Sequence, residues 1–421
     1  MSLTETVQLP QLSQQHQLNP APVYDVAQLS DERTRTLKQL LDKGHVTVAP
    51  LRDPQLILHS HLPHLIGSAY GLGADSELMT KCYEHIIQSL KEIDETFVRG
   101  QKINENNWRD FLQQKSHTVA YVDFFDDQVQ RNNGDWEKVV QQYLFSGSEP
   151  LINGFIGGLA HPFIHLAYAY EFRSKAVATE ALSLGCTEYV QCHQLLDHPP
   201  PDNSKYKTRA LSDILKTVQS DKRFDDLVAD PGTVNFGLVL EPRFDALMEH
   251  WNAWDIDDHF REFENCCDLS VLLAITAGYP DGKFDFFYAH TLTVAHALRI
   301  LWHYFPEDRR VSILRQYALF VILIYILQLR IPFDIESIES TQVAGRDWDW
   351  VRETALQHKW ALDEHFFKVV RSLQELHATY GDKGGFYLKA AIKFVTEFNG
   401  WEGFGKGILD YLPSRDGYKP E

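Results

Sequence analysis

The stretch "FYAHTLTVAHALRILWHYF", Phe287 to Phe305, decides the fold class. Tyr288, Leu292, Ala295, Leu298 and Trp302 recur three or four positions apart, the period of an α-helix, and no glycine or proline interrupts them. The same period appears on both sides. Residues 30–45 ("SDERTRTLKQLLDKGH"), 75–93 ("DSELMTKCYEHIIQSLKEI"), 135–145 ("DWEKVVQQYLF"), 207–219 ("KTRALSDILKTVQ") and 349–376 ("DWVRETALQHKWALDEHFFKVVRSLQEL") all carry it. In the first of these Ser30 is placed to cap the helix start, with Gly44 beyond its end. Only "HVTVAPL", His45 to Leu51, has the look of a short extended piece. The expected class is all-α, a single large multi-helix domain enclosing a buried metal site.

The chain has 421 residues, 44% hydrophobic and 23% charged, with a formal net charge of -18. That balance is ordinary for a globular protein able to bury a ligand. The acidic surface argues against a nucleic-acid or anionic-membrane partner, since either would be repelled. Five cysteines form neither a disulfide framework nor a paired CxxC pattern, so they are expected as reduced thiols. The start of the chain is polar and Gln-rich, with no secretory h-region, which leads to the expectation of a cytoplasmic protein. Residues 1–24 are expected as a flexible arm and 25–421 as the helical domain; "DHPPPDNSKYK", Asp197 to Lys207, is the clearest loop. The uncharged run "QYALFVILIYILQL" before Arg330 is about 14 residues, short of the roughly 20 that span a bilayer, and is expected as a core helix.

Histidines carry the chemistry. In "GGLAHPFIHLAYAYE", Gly157 to Glu171, His161 and His165 lie on one helical face, and Pro162 suits a first helical position. "HSHLPHLIGSAYGLGA" brings His59, His61 and His64, with Pro63 starting a helix. His290 and His296 are about 240° apart around a helix, so at most one of them can face a given site. His365 and Lys368, in "WALDEHFFKVVRSL", are about 60° apart among aromatic and branched residues. Each cluster alone is also what packed core histidines or a surface Lys paired with Asp363 or Glu364 would show. Four such segments together suit imidazole-rich ligation of iron, zinc, copper or nickel. No Asp or Glu stands out to complete a two-histidine, one-carboxylate iron set. A lysine turned inward beside a metal must lose its proton, and a neutral amine takes up carbon dioxide to become a carbamate, an oxygen ligand.

"HLPHLIGSAYGLGA", "GGLAHPFIHLAYAYE", "ILRQYALFVILIYILQLRIPF" and "DEHFFKVVRSL" together resemble the questin oxidase-like family, from about His59 to the C-terminal "FVTEFNGWEGFGKGIL". The resemblance implies an all-helical enzyme of the kind found in fungal polyketide clusters and in bacteria, linked to Baeyer–Villiger-type oxidative cleavage of a hydroxyanthraquinone ring. It implies dioxygen and a polycyclic aromatic as reactants. Position by position it points to His61, with His64 beside it, and to His161, His165, His290, His365 and Lys368; the metal-ligand pool is His61, His161, His165, His290, His365 and Lys368. The "HTLTVAHALR" and "LPHLIGS" segments depart from the family pattern and leave the native substrate open.

Dioxygen is a triplet, so its reaction with an aromatic needs a redox metal or a flavin. "GWEGFGKG" has the wrong spacing for a dinucleotide fingerprint and follows no strand. The expected cofactor is therefore Fe(II), with a carboxylated lysine as a further ligand; NADPH stays open as a reductant although no binding motif for it is seen. Tyr168, Tyr170, Phe287, Tyr288 and Trp360 are candidates to stack a planar substrate, and Glu171 to orient a ligand. The competing readings are a zinc hydrolase on the same histidines and a non-catalytic helical binding protein. Oligomeric state is left open.

Overall fold

The computed structural model describes residues 9–13, 17–52, 58–94, 103–227 and 230–405. Of the expected N-terminal arm, residues 1–8 and 14–16 lie outside the described residues, as does the end of the chain from 406. The elements that build and back the interior are, in chain order, α1 (Glu32–Thr47), β1 (Val48–Arg52), α2 (Leu62–Leu72), β2 (Leu90–Glu92), α3 (Thr118–Arg131), α4 (Gly157–Phe172) and α5 (Lys175–Thr187). There follow α6 (His259–Thr276), α7 (Phe286–Leu301), α8 (Arg310–Leu327), α9 (Glu364–Tyr380) and α10 (Phe386–Glu397). The chain is mostly helical, as its periodicity predicts.

Four of these helices close a ring. α2 packs on α4 and α9, and α7 packs on the same two from the opposite side. α5 backs α4, α6 backs α7, and α10 backs α9, so the ring is covered by a second layer of helices. One continuous apolar core runs through all of them. The apolar helix Glu307–Leu327, which contains α8, is long and apolar enough to cross a membrane by length and composition. Yet 78% of that stretch is buried inside the chain, against α7 and α6, as expected of a core helix.

Local departures from the sequence reading have identifiable causes. Asp31 rather than Ser30 caps α1, accepting the Thr34 N–H at 3.0 Å. Gly44 lies inside α1, not past it, because Leu62 fills the place of a side chain there: a Cβ would stand 2.8 Å from Leu62 Cδ1. The expected strand starts three residues late, at Val48, and pairs antiparallel with β2. β2 itself comes from "SLKEI", where the period had suggested a continuing helix. The long periodic segment 349–376 is two helices, broken because Asp363 turns out of helical geometry to cap α9.

α4 opens unusually. Gly158, Leu159 and Ala160 have φ of 54°, 54° and 58°, a full turn of left-handed backbone before a right-handed helix begins at His161. Outside glycine such residues cost about 1–2 kcal/mol each, so the surroundings must impose the turn. They do so by contact. A Cβ on Gly157 would lie 1.8 Å from the Glu188 carbonyl oxygen, and one on Gly158 would lie 2.6 Å from His59 Cε1. Gly157→Ala is therefore expected to destabilise the chain by at least about 2 kcal/mol in urea denaturation. Gly237→Ala, with open space around it, should be neutral or gain up to about 1 kcal/mol.

Candidate metal centre

His61, His161, His290 and His365 meet in the middle of the helical ring, one from each of its segments. A ring nitrogen of each lies within 4.8 Å of those of the other three, and all four residues are buried. Each arrives near a helix start. His61 caps α2, His161 is the first right-handed residue of α4, His290 is in the second turn of α7, and His365 is the second residue of α9.

Backbone carbonyls set two of the rings. His161 Nδ1 bonds to the Gly158 carbonyl at 2.5 Å, and His290 Nδ1 to the Phe286 carbonyl at 2.7 Å. A carbonyl can only accept, so both rings carry their proton on Nδ1 and turn a bare Nε2 inward. That is how metal-binding histidines are usually oriented. The left-handed turn in α4 is what brings the Gly158 carbonyl under His161. His161 Nε2 then stands 2.7 Å from His61 Nε2. Two lone pairs do not approach so closely without a proton or a cation shared between them. His290 Nε2 and both ring nitrogens of His365 are buried without a hydrogen-bond partner among the described residues. Orphaned nitrogens of this kind cost roughly 1–3 kcal/mol each, and a cation at the centre would satisfy one on each ring.

Burial, first of all, pushes these histidines down: His61, His161 and His365 well below the usual imidazole range, and His290 to about 3. The ligands are uncharged at neutral pH, the form a metal takes. Nitrogens each held about 2.1 Å from one ion lie at most about 4.2 Å apart. The four nitrogens lie within 4.8 Å of one another, with the His61–His161 pair at 2.7 Å, so the rings would shift to take up one ion.

Lys368 lies one turn along α9 from His365, buried, its Nζ without a hydrogen-bond partner among the described residues. Burial drives its pKa down to about 7 against the pull of Glu364 and Asp363. The surface ion pair that the sequence also allowed does not form. His165 lies one layer out. Its Nδ1 faces His64 Nε2 at 3.1 Å and its Nε2 faces Glu180 at 2.9 Å, so neither nitrogen is left to turn toward the other four. His296 points elsewhere, as the 240° rule requires, near Arg299 and Arg371. Glu171 orients no histidine; it is buried in an ion pair with Arg371.

The sequence offered His59 only as one of a histidine cluster and Glu364 only as a surface ion-pair partner, and gave no signal for Arg52 or Glu188. Glu364 Oε1 stands 3.6 Å from His61 Nδ1, 3.7 Å from His365 Nδ1 and 3.4 Å from Arg52, behind the ring nitrogens. His59 stacks on His161 with ring centroids 4.4 Å apart and bonds Glu188 at 2.5 Å. Glu188 also pairs with Lys115. Adjacent charges in a sequence do not announce that two distant helices will share them.

A cavity of about 490 Å³ opens on one side of the four histidines, within the size range of small-molecule sites. His61, His161 and His365 form part of its wall, and Phe286, Phe287, Phe320 and Leu323 much of the rest. Of the five aromatics expected to stack a substrate, only Phe287 lines it. Tyr168 bonds Ser68 at 2.6 Å and packs on His64, Tyr170 packs at a tilt against Tyr304, and Tyr288 and Trp360 are not in its wall.

Residues 58–373 match the questin oxidase-like family. The chain belongs to that family. Questin oxidase of Aspergillus terreus is 25% identical over 348 residues, covering 75% of this chain and 74% of the relative. Baeyer-Villiger oxidase AgnL3 of Paecilomyces divaricatus is 22% identical over 385 residues, covering 84% and 80%. Oxidoreductase AflY of Aspergillus parasiticus is 25% identical over 282 residues, covering 61% and 54%. The matched span contains all four converging histidines and Lys368.

The geometry brings His61, His161, His290 and His365 together and leaves His296 apart from them. His161→Ala should abolish tight binding of a divalent transition metal in equilibrium dialysis of untagged protein. His296→Gln should leave the stoichiometry unchanged. Equal loss in both would refute the assignment.

Proposed function

We propose that the chain is a non-haem, Fe(II)-dependent oxygenase that oxidatively cleaves a ring of a hydroxylated polycyclic aromatic such as a hydroxyanthraquinone. The observation that carries this reading is four neutral imidazoles converging at the wall of an apolar, aromatic-lined cavity. The relatives support it by their names, which are those of oxidases. His61, His161, His290 and His365 would hold the metal, and Lys368 would add an oxygen ligand once carbon dioxide has joined its uncharged Nζ as a carbamate. Bound there, a redox metal supplies the electron transfer that lets triplet dioxygen react with a closed-shell ring.

The chain's own residues do the rest. The rings of Phe286 and Phe287 present flat apolar surface to a planar substrate, and Phe320 and Leu323 exclude water behind it. Arg52, in the same wall, offers positive charge to a phenolate oxygen, which favours the electron-rich, ionised form of the ring; Lys115, also in the wall, is already paired with Glu188. Glu364, 3.6 Å from His61 Nδ1 and 3.7 Å from His365 Nδ1, places negative charge beside those imidazoles without a hydrogen bond to either. The same four nitrogens would also accept zinc, but a zinc hydrolase would have no use for oxygen.

Elemental analysis of untagged protein, combined with oxygen uptake on a hydroxyanthraquinone, tests this. The expected result is near-stoichiometric iron, oxygen consumption and loss of the quinone absorbance, with no turnover by zinc-loaded protein. Turnover with zinc and no oxygen consumed would overturn it. Lys368→Met should lower iron content severalfold; unchanged content would remove the carbamate from the site.

A further inference from the structure

The charged side chains in the wall of the 490 Å³ cavity stand at two places beside the histidines. Arg52 is at one, 3.4 Å from Glu364, which neighbours His61 and His365. Glu188 and Lys115 are at the other, next to His59, whose ring stacks on His161. Glu188 is the only carboxylate among the described residues of the wall. Both of its partners meet the same oxygen. His59 Nε2–H donates to Oε1 at 2.5 Å, and Lys115 pairs with Oε1 as well. Oε2 has no hydrogen bond among the described residues and is the oxygen left for a ligand.

The fold holds this carboxylate in place. Glu188 ends α5, its N–H bonded to the Leu184 carbonyl at 2.8 Å. Its own carbonyl oxygen lies 1.8 Å from where a Cβ on Gly157 would stand, and its carboxyl carbon 2.9 Å from a Cβ on Gly158. The two glycines that open α4 therefore leave the room it occupies. The side chain is only 9% exposed. A buried carboxylate paired with an ammonium is often less stable than apolar groups of the same volume, so packing alone gives no reason for one in a mostly apolar wall. A few placed polar groups in such a wall are what fixes a ligand's orientation.

We propose that Glu188 is a specificity-determining residue whose Oε2 accepts a hydrogen bond from a hydroxyl group of the substrate, turning the ring to one orientation in the cavity. The proposal rests on the oxygenase reading above and narrows its substrate class. Arg52 and Lys115 carry only donors, so they can meet a carbonyl or phenolate oxygen but not the hydrogen of a hydroxyl. Glu188 is the complementary group. With Arg52 toward His61 and His365 and Glu188 toward His161, the wall suits a planar polycycle bearing two oxygen substituents, an ionised one at Arg52 and a protonated one at Glu188. A ring with hydrogen in place of that hydroxyl would leave a desolvated carboxylate oxygen unpaired, and the site discriminates against it for that reason. No covalent bond forms or breaks at Glu188; it positions the ring.

A purely structural ion pair would show the same distances, so the test reads recognition of single hydroxyls. Metal-loaded protein is titrated, without oxygen, with a dihydroxyanthraquinone whose two hydroxyls are not equivalent, and with the two analogues in which one or the other is replaced by hydrogen. In the native protein, loss of the hydroxyl that meets Glu188 should weaken binding roughly ten- to a hundredfold. In Glu188→Gln, with metal content unchanged, that ratio should fall to about threefold or less, while the effect of removing the other hydroxyl stays as in the native protein. Should Glu188→Gln lose its metal, Glu188→Asp decides instead, because it keeps the charge that His59 and Lys115 meet and draws the oxygen back by one methylene. A native ratio that survives in the variant, or a variant that weakens all three compounds equally, overturns the role of Glu188. Native protein that binds all three compounds equally well overturns it too and leaves the oxygenase reading standing. Native protein that binds none of them overturns the polycyclic-aromatic reading, and this assignment with it.

Discussion

Four imidazoles are held together, uncharged, in a dry interior, and the rest of the structure is arranged around that constraint. Desolvation strips their protons, and the carbonyls of Gly158 and Phe286 fix which nitrogen faces inward. What remains is a set of lone pairs pointing at one another, a high-energy arrangement unless something positive lies between them. The ring of α2, α4, α7 and α9 prevents the obvious escape, because each histidine is fixed by the start of a helix that is itself packed on two neighbours. The left-handed turn at 158–160 is part of the same arrangement. Relaxing it would relieve backbone strain but withdraw the carbonyl that orients His161.

The carboxylates explain why a two-histidine, one-carboxylate pattern could not be found. They are present, but behind the imidazoles. Glu364 stands behind His61 and His365, Glu188 behind His59, and Glu180 behind His165. A dication among neutral ligands in a low-dielectric interior needs compensating charge nearby, and charge one layer out still supplies it through a strong Coulomb term. Glu364 and Glu180 are not in the wall of the cavity, which stays mostly apolar; Glu188 is, and Lys115 pairs with it there.

Much of this was legible in the sequence because it depends on local period and spacing. The helices around His61, His161, His290 and His365 follow from apolar residues three and four apart, and Pro63 and Pro162 mark starts that the structure keeps. The 240° between His290 and His296 separated two candidates correctly. His165 could not be separated from His161 in the same way. Both share a helical face, and only the tertiary approach of His64 and Glu180 takes up both His165 nitrogens. The cavity wall was the least legible part. Aromatic residues are scattered through every helix here, and whether one faces a cavity or a neighbour depends on helix rotation, which composition does not carry. β2 was hidden for a related reason: "SLKEI" satisfies a helical period, and pairing with β1 overrides it.

Helix polarity adds a last step. All four histidines enter on the first or second turn of their helices, so four positive dipole ends face the region that would hold a cation. By itself this opposes metal binding. It is offset in part by Asp285 and Asp363, buried caps of α7 and α9 whose carboxylates accept N–H bonds from Tyr288 and Phe366. Burial raises both acids to about 7, so they compensate incompletely near neutrality. Converging dipoles favour anions on whatever positions of the metal remain open. The proposed carbamate on Lys368 and a phenol ionised in the cavity would both be anions. An ammonium on Lys368 would add to the opposing charge, which gives an electrostatic reason for a lysine there to be used in its uncharged form. The polarity that makes the site a poor trap for a bare cation makes it a good one for a cation already paired with anionic oxygen ligands.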